Sequence, residues 1–83
     1  MTTVWLAIDK KNNEIKVHKF AETARNTVFG WAKDAFFAMN EELSEVDKMS
    51  EEALMEEANE EVINAEEAPW LSCYAIKEVI VED

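Results

Sequence analysis

Val4, Leu6 and Ile8 alternate with Trp5 and Ala7. This period of two, carried by β-branched and aromatic residues, predicts a strand over about residues 3 to 9. Lys10-Lys11-Asn12-Asn13 is polar and rich in turn formers. Beyond it, Ile15, Val17 and Lys19 share one face of a second strand, with Lys16, His18 and Phe20 on the other. The short Asn-rich link makes the pair a β-hairpin. After Phe20 the period lengthens. Val28, Trp31, Ala32, Ala35, Phe36, Met39 and Leu43 follow at spacings of three and four, an amphipathic helical stripe broad enough to cover a sheet. Its start lies near Ala21, or at Thr23 acting as N-cap. Gly30 inside the stripe costs about 1 kcal/mol relative to alanine. The expected return is a close approach of helix to sheet. Phe29 and Phe37 lie off the stripe and widen the apolar face or mark a second contact surface.

Ser44 to Lys48 interrupts the helical pattern, and Ser50 is a good N-cap for a second helix over about residues 51 to 65. Met49 and Leu54 are placed for a hydrophobic staple. Glu51 and Glu52 occupy the first turn, where the helix dipole favours negative charge. At 100° per residue Leu54, Ala58, Val62 and Ala65 fall within one quadrant, and Glu52, Glu56, Glu57 and Glu60 lie opposite. This Ala-rich stripe is thin, so the second helix is expected to pack less firmly than the first. Pro69 ends it. From Trp70 onward strand-type residues return. Tyr74 and Ile76 share one parity, Val79 and Val81 the other, so either both faces are partly buried or a bulge shifts the register near Lys77-Glu78.

The order β-β-α-α-β predicts a single α+β domain over residues 1–83. It is a three-stranded antiparallel sheet packed on a long amphipathic helix, with an acidic second helix. A parallel last strand beside the first is the alternative. Trp5, Trp31 and Trp70 are expected in the core; any of them, or Phe29 and Phe37, that lies exposed near the acidic helix would instead be an aromatic anchor for a partner.

Composition narrows the classes. The 83 residues leave room for one modest core. A hydrophobic fraction of 48% argues against a disordered acidic tail. There is no apolar run of membrane-spanning length. Met1-Thr2-Thr3-Val4 lacks the features of a secretory signal. Cys73 is the only cysteine, which fits a reducing cytoplasm.

Chemistry has little to work with. His18 is the only histidine, on a different strand from Cys73. The two strands could be neighbours, leaving a Cys-His pair open, but a nucleophile needs a placed base and an orienting group. The bland reading is a buried cysteine and an edge histidine. No calcium loop, Glu-x-x-His pair, Cys/His cluster or Gly-rich phosphate loop is present. Solvated glutamate pairs supply neither the burial nor the cleft of acid–base catalysis. The chain is therefore read as a non-enzyme that needs no cofactor and no metal.

The charge is localised. Twelve of the nineteen acids lie between Glu41 and Glu67 with one base, Lys48, so this segment alone carries the net charge of −11, and seven acids balance seven bases elsewhere. A glutamate-rich helix is often only a solubilising face. Such faces usually mix in lysine at i+4, whereas Glu52/Glu56/Glu60 and Glu57/Glu61 repeat like charges at that spacing and weaken the helix. Carboxylates one turn apart are about 6 Å apart along the axis. Phosphates of a DNA strand advance about 3.4 Å each. A two-column glutamate face therefore approaches the charge density of a nucleic-acid backbone. Repulsion from this surface disfavours direct binding to nucleic acid or to an anionic membrane.

The opening Val4-Trp5-Leu6-Ala7-Ile8-Asp9, with Lys10-Lys11-Asn12-Asn13 and Ile15-Lys16-Val17, and the ending Cys73 to Asp83 resemble those of small bacteriophage accessory proteins. In such proteins a hairpin, one or two helices and a closing strand follow in that order. The resemblance covers about a third of the chain at the level of pattern. It implies an anti-defence or host-takeover inhibitor in the host cytoplasm, of the kind that includes anti-CRISPR proteins, restriction inhibitors and DNA mimics. Together with the charge, it gives the leading expectation. Glu52, Glu56, Glu57, Glu60 and Glu61, flanked by Glu41, Glu42 and Glu45, would cover a basic nucleic-acid-binding surface of a host protein. Two alternatives stand beside it. One is a homodimer or adaptor module joined through Phe29, Phe37 or a sheet edge; the other is an antitoxin-like neutraliser of a basic protein.

Overall fold

A computed structural model describes residues 1–82. The elements are β1 (Thr2–Asp9), β2 (Glu14–His18), α1 (Ala21–Glu41), α2 (Glu51–Glu67), a 3-10 turn (Pro69–Leu71) and β3 (Tyr74–Val81). The sheet order is β2-β1-β3, antiparallel throughout. This is the expected β-β-α-α-β fold. The last strand does lie beside the first, but antiparallel to it. The ladder from Thr2↔Val81 to Asp9↔Tyr74 is unbroken, so no bulge occurs at Lys77-Glu78.

Local chemistry accounts for the boundaries. Asp9 is buried at the end of β1 and folds the hairpin loop around its carboxylate. Its Oδ1 accepts from the backbone N–H of Lys11 (3.1 Å) and Asn12 (3.2 Å), and its Oδ2 from Asn12 Nδ2 (2.9 Å). Asn13 takes the left-handed conformation (φ 54°), which asparagine tolerates better than most residues. Helix α1 starts at Ala21 with Phe20 at the N-cap and no side-chain cap, so Thr23 does not begin it. Ser50 caps α2 as expected, accepting from the Ala53 N–H at 3.2 Å. The loop between the helices is tied by Asn40, whose Oδ1 accepts from Met49 N–H at 2.8 Å. Lys10 Nζ donates to the carbonyls of Pro69 and Ser72, pinning the 3-10 turn against the hairpin.

Alternation decides the layers. The helices cover the face of Trp5, Ala7 and Asp9 on β1 and Tyr74 and Ile76 on β3. Ala7, Ala24, Val28, Ala32, Ala58, Ala65, Tyr74 and Ile76 form the core, with Trp5, Phe29, Trp31, Phe36 and Val62 packed against it. Trp31 stacks on Tyr74 with ring centroids 6.2 Å apart. The interior is alanine-rich, and Val28 is the largest fully buried side chain among the described residues. Alanines at Ala24, Ala32, Ala58 and Ala65 let the two helices and the sheet approach closely; Gly30 has no such role. A Cβ built there meets nothing within 4 Å, which corrects the expected close approach.

Among the described residues no helix or further strand covers the opposite face of the sheet. Its positions are Thr2, Val4, Leu6 and Ile8 on β1, Ile15 and Val17 on β2, and Ala75, Lys77, Val79 and Val81 on β3.

Candidate partner-binding surface

Helix α1 runs past the core. Its buried residues, Ala24, Val28 and Ala32, lie in its first twelve positions. No residue from Lys33 to Ala53 is buried, and every residue from Glu41 to Glu52 is exposed. The distal stripe positions Ala35, Met39 and Leu43 are accordingly open to solvent, contrary to a stripe covered along its length. The two helices and their connecting loop give the molecule an elongated shape of 55 × 22 × 19 Å. Helix α2 is no looser than α1, since it too buries three residues, Leu54, Ala58 and Ala65.

Glu41 and Glu42 stand at the end of α1, Glu45 in the connecting loop, and Glu52, Glu56, Glu57 and Glu60 along α2, all exposed. Glu45 pairs with Lys48 at 3.2 Å. Among the described residues none of the other six makes an ion pair, so their field is uncompensated.

Glu61 does not belong with them. It is half-buried, and Oε2 accepts from Ser72 Oγ at 2.5 Å, while that hydroxyl accepts from Tyr74 N–H at 3.0 Å. Glu61 thus ties α2 to the start of β3. The sequence carried the signal: at 100° per residue Glu61 lies about 20° from Leu54, inside the apolar quadrant. Glu66, at the far end of α2, forms a bidentate pair with Arg25 of α1, with Nε–Oε2 at 2.9 Å. The hydrogen bond from Arg25 lowers the Glu66 pKa; burial opposes it and the guanidinium charge adds to it.

Three hydrophobes stand exposed on or beside the acidic helix. Ile63 lies about 180° from Leu54 and is 54% exposed within the acidic face. Trp70 is 77% exposed and Leu71 66%, beside the end of α2. Trp70 was expected in the core; Pro69 and Ala68 turn the chain so that the 3-10 turn contributes no buried residue. Phe29 and Phe37 are both half-buried, and Phe29 lines a shallow groove between the helices with Arg25, Asn26, Asn59 and Val62.

A cleft of about 450 Å³ opens between the hairpin loop and α1 and is lined by Asp9, Glu14, Trp31, Asp34, Phe36, Glu61, Cys73 and Tyr74, among others. Burial raises the Tyr74 pKa above the ordinary phenol value, and the nearby Asp9 adds to this. Cys73 is exposed rather than buried. His18 lies on the edge strand β2, as expected, and is half-buried with Nε2 2.9 Å from Thr27 Oγ1. The strand register separates the two. Lys10 N–H bonds to the Cys73 carbonyl while His18 pairs with Trp5, about 17 Å apart along β1. The two do not form a catalytic pair. Among the described residues no group of three or more His, Cys, Asp or Glu converges as metal ligands would, and no helix is long and apolar enough to cross a membrane. Comparison with protein-family models, with curated proteins and with solved structures finds no match.

Proposed function

We propose that the chain is a non-enzymatic binding protein whose acidic helical surface occupies a basic, nucleic-acid-binding surface of another protein. One observation carries this reading. Seven of the expected glutamates stand exposed on the distal helical hairpin and α2, and among the described residues six of them lack a cationic partner. Keeping like charges at i,i+4 opposes helix formation. Their concentration on one part of a chain that is neutral elsewhere suits attraction of a cation-lined groove, with fast and salt-sensitive association. Ile63 within the acidic face, and Trp70 beside it, are apolar side chains of the kind that anchor an otherwise electrostatic contact. The resemblance to phage accessory proteins makes a host defence protein the kind of target this surface would meet, in the host cytoplasm.

The test is capture from a bacterial lysate with the wild-type chain and with Glu52, Glu56, Glu57 and Glu60 changed together to Gln. The expected result is a nucleic-acid-binding protein retained by the wild type at low salt, released at high salt or by added duplex DNA, and not retained by the variant. Retention by the variant, or indifference to salt and DNA, would remove the acidic surface from the interaction.

A further inference from the structure

We infer that the uncovered face of the sheet is a self-association surface, on which a second copy of this chain packs sheet against sheet. An antiparallel sheet with one wet face ordinarily points polar residues to water and apolar ones to the core. Here the polarity is reversed. Strand β2 turns Glu14, Lys16 and His18 toward the helix side and Ile15 and Val17 away from it. On the outer face Ile15 is 59% exposed, Val17 63% and Val81 43%, beside Leu6, Ile8 and Val79. The helix-side core meanwhile is built largely from alanine. A chain that places its larger aliphatics outside and its alanines inside gains most by burying the outer face as well.

Charge and area select the occupant. Among the described residues the outer face carries no acid, and Lys77 is its one charge. Two copies meeting there would form helix, sheet, sheet and helix layers. That order keeps the helical layers, where the acids concentrate, about 30 Å apart, several Debye lengths at physiological salt. Pairing through the helical layers would instead bring acidic surface against acidic surface. Two strands of eight residues and one of five give a footprint of roughly 350 Å² per copy. The accessible area of a side-chain-covered face exceeds its footprint. A pair of copies therefore hides on the order of 1,000 Å², the lower bound for a specific interface. An interface of that size belongs with weak, reversible associations, and the pairing follows the aligned geometry of a β-sandwich. This inference rests on the sheet and is independent of the acidic helices.

Sedimentation equilibrium of the untagged chain between about 1 μM and about 1 mM tests it, a range that brackets the affinity of so small an interface. The apparent mass should rise from 9.5 kDa toward twice that value. Added salt should leave the association unchanged or strengthen it, the reverse of the salt response proposed for the acidic surface. Val17→Lys should hold the mass at 9.5 kDa with an unchanged circular dichroism spectrum, because Val17 is exposed in the single chain. Val17→Thr keeps the β-branched shape and counts twice across the two-fold axis, so it should weaken association about tenfold. Glu56→Gln with Glu60→Gln should leave association intact. A wild-type chain that stays monomeric throughout, or a dimer that survives both Val17 changes, overturns the inference. So does a monomer whose outer face instead binds neutral phosphatidylcholine vesicles.

Discussion

Changing Glu56 and Glu60 together to Gln should make the isolated protein more stable while weakening its capture of a basic partner. Both residues are exposed on the middle of α2, and among the described residues neither has an ion-pair partner. Glu56 faces Glu52 and Glu60 at i,i+4, and Glu60 also faces Glu57 at i,i+3. Each like-charge contact costs about 0.2–0.5 kcal/mol. Removing three yields a gain of about 1 kcal/mol, which for a domain of this size raises the melting temperature by about 4–8 °C. Gln has nearly the helix propensity of Glu, so the backbone term cancels. Glu51 and Glu52 are left in place because the first turn favours acids. The assay is thermal unfolding followed by circular dichroism at low salt and at about 1 M salt, where the Debye length falls to about 3 Å. The gain should be present at low salt and largely absent at high salt. An unchanged or lower melting temperature at low salt would mean that these carboxylates are compensated, and the charge basis of the proposed function would fall with it.

Three further outcomes follow from single contacts. Gly30→Ala meets open space in a helix interior, and should add about 1 kcal/mol in urea unfolding; a loss would show that the glycine is required for packing. Asp9→Ala removes the acceptor of three hydrogen bonds that shape the hairpin loop. It should cost about 2 kcal/mol by the same assay, and a neutral effect would show that the loop closes without it. Glu66 has a folded pKa below its ordinary 4.5, so its contribution to stability is present above that value and is lost as pH falls through the depressed one. The stability difference between wild type and Glu66→Gln should therefore shrink on acidification, and a difference independent of pH would discount the Arg25 pair.

The sequence by itself determined the elements. Period-two and period-three-to-four patterns located the hairpin, both helices and the last strand. Ser50 marked the start of α2, and the position of the acidic block along the chain needed no structure. These are local properties, set by backbone geometry and side-chain spacing within a few residues. Only the tertiary structure decided which parity of the sheet faces the helices. Alternation gives two faces and does not rank them when Val4, Leu6 and Ile8 compete with Trp5, Ala7 and Tyr74, and here alanines won the interior because close helix packing requires small side chains. It also decided the environment of individual groups. Trp70 turned outward on the 3-10 turn, and Cys73 and His18 came to lie apart because the sheet order put β1 between β2 and β3. Such outcomes depend on residues distant in sequence, whose meeting no local pattern records.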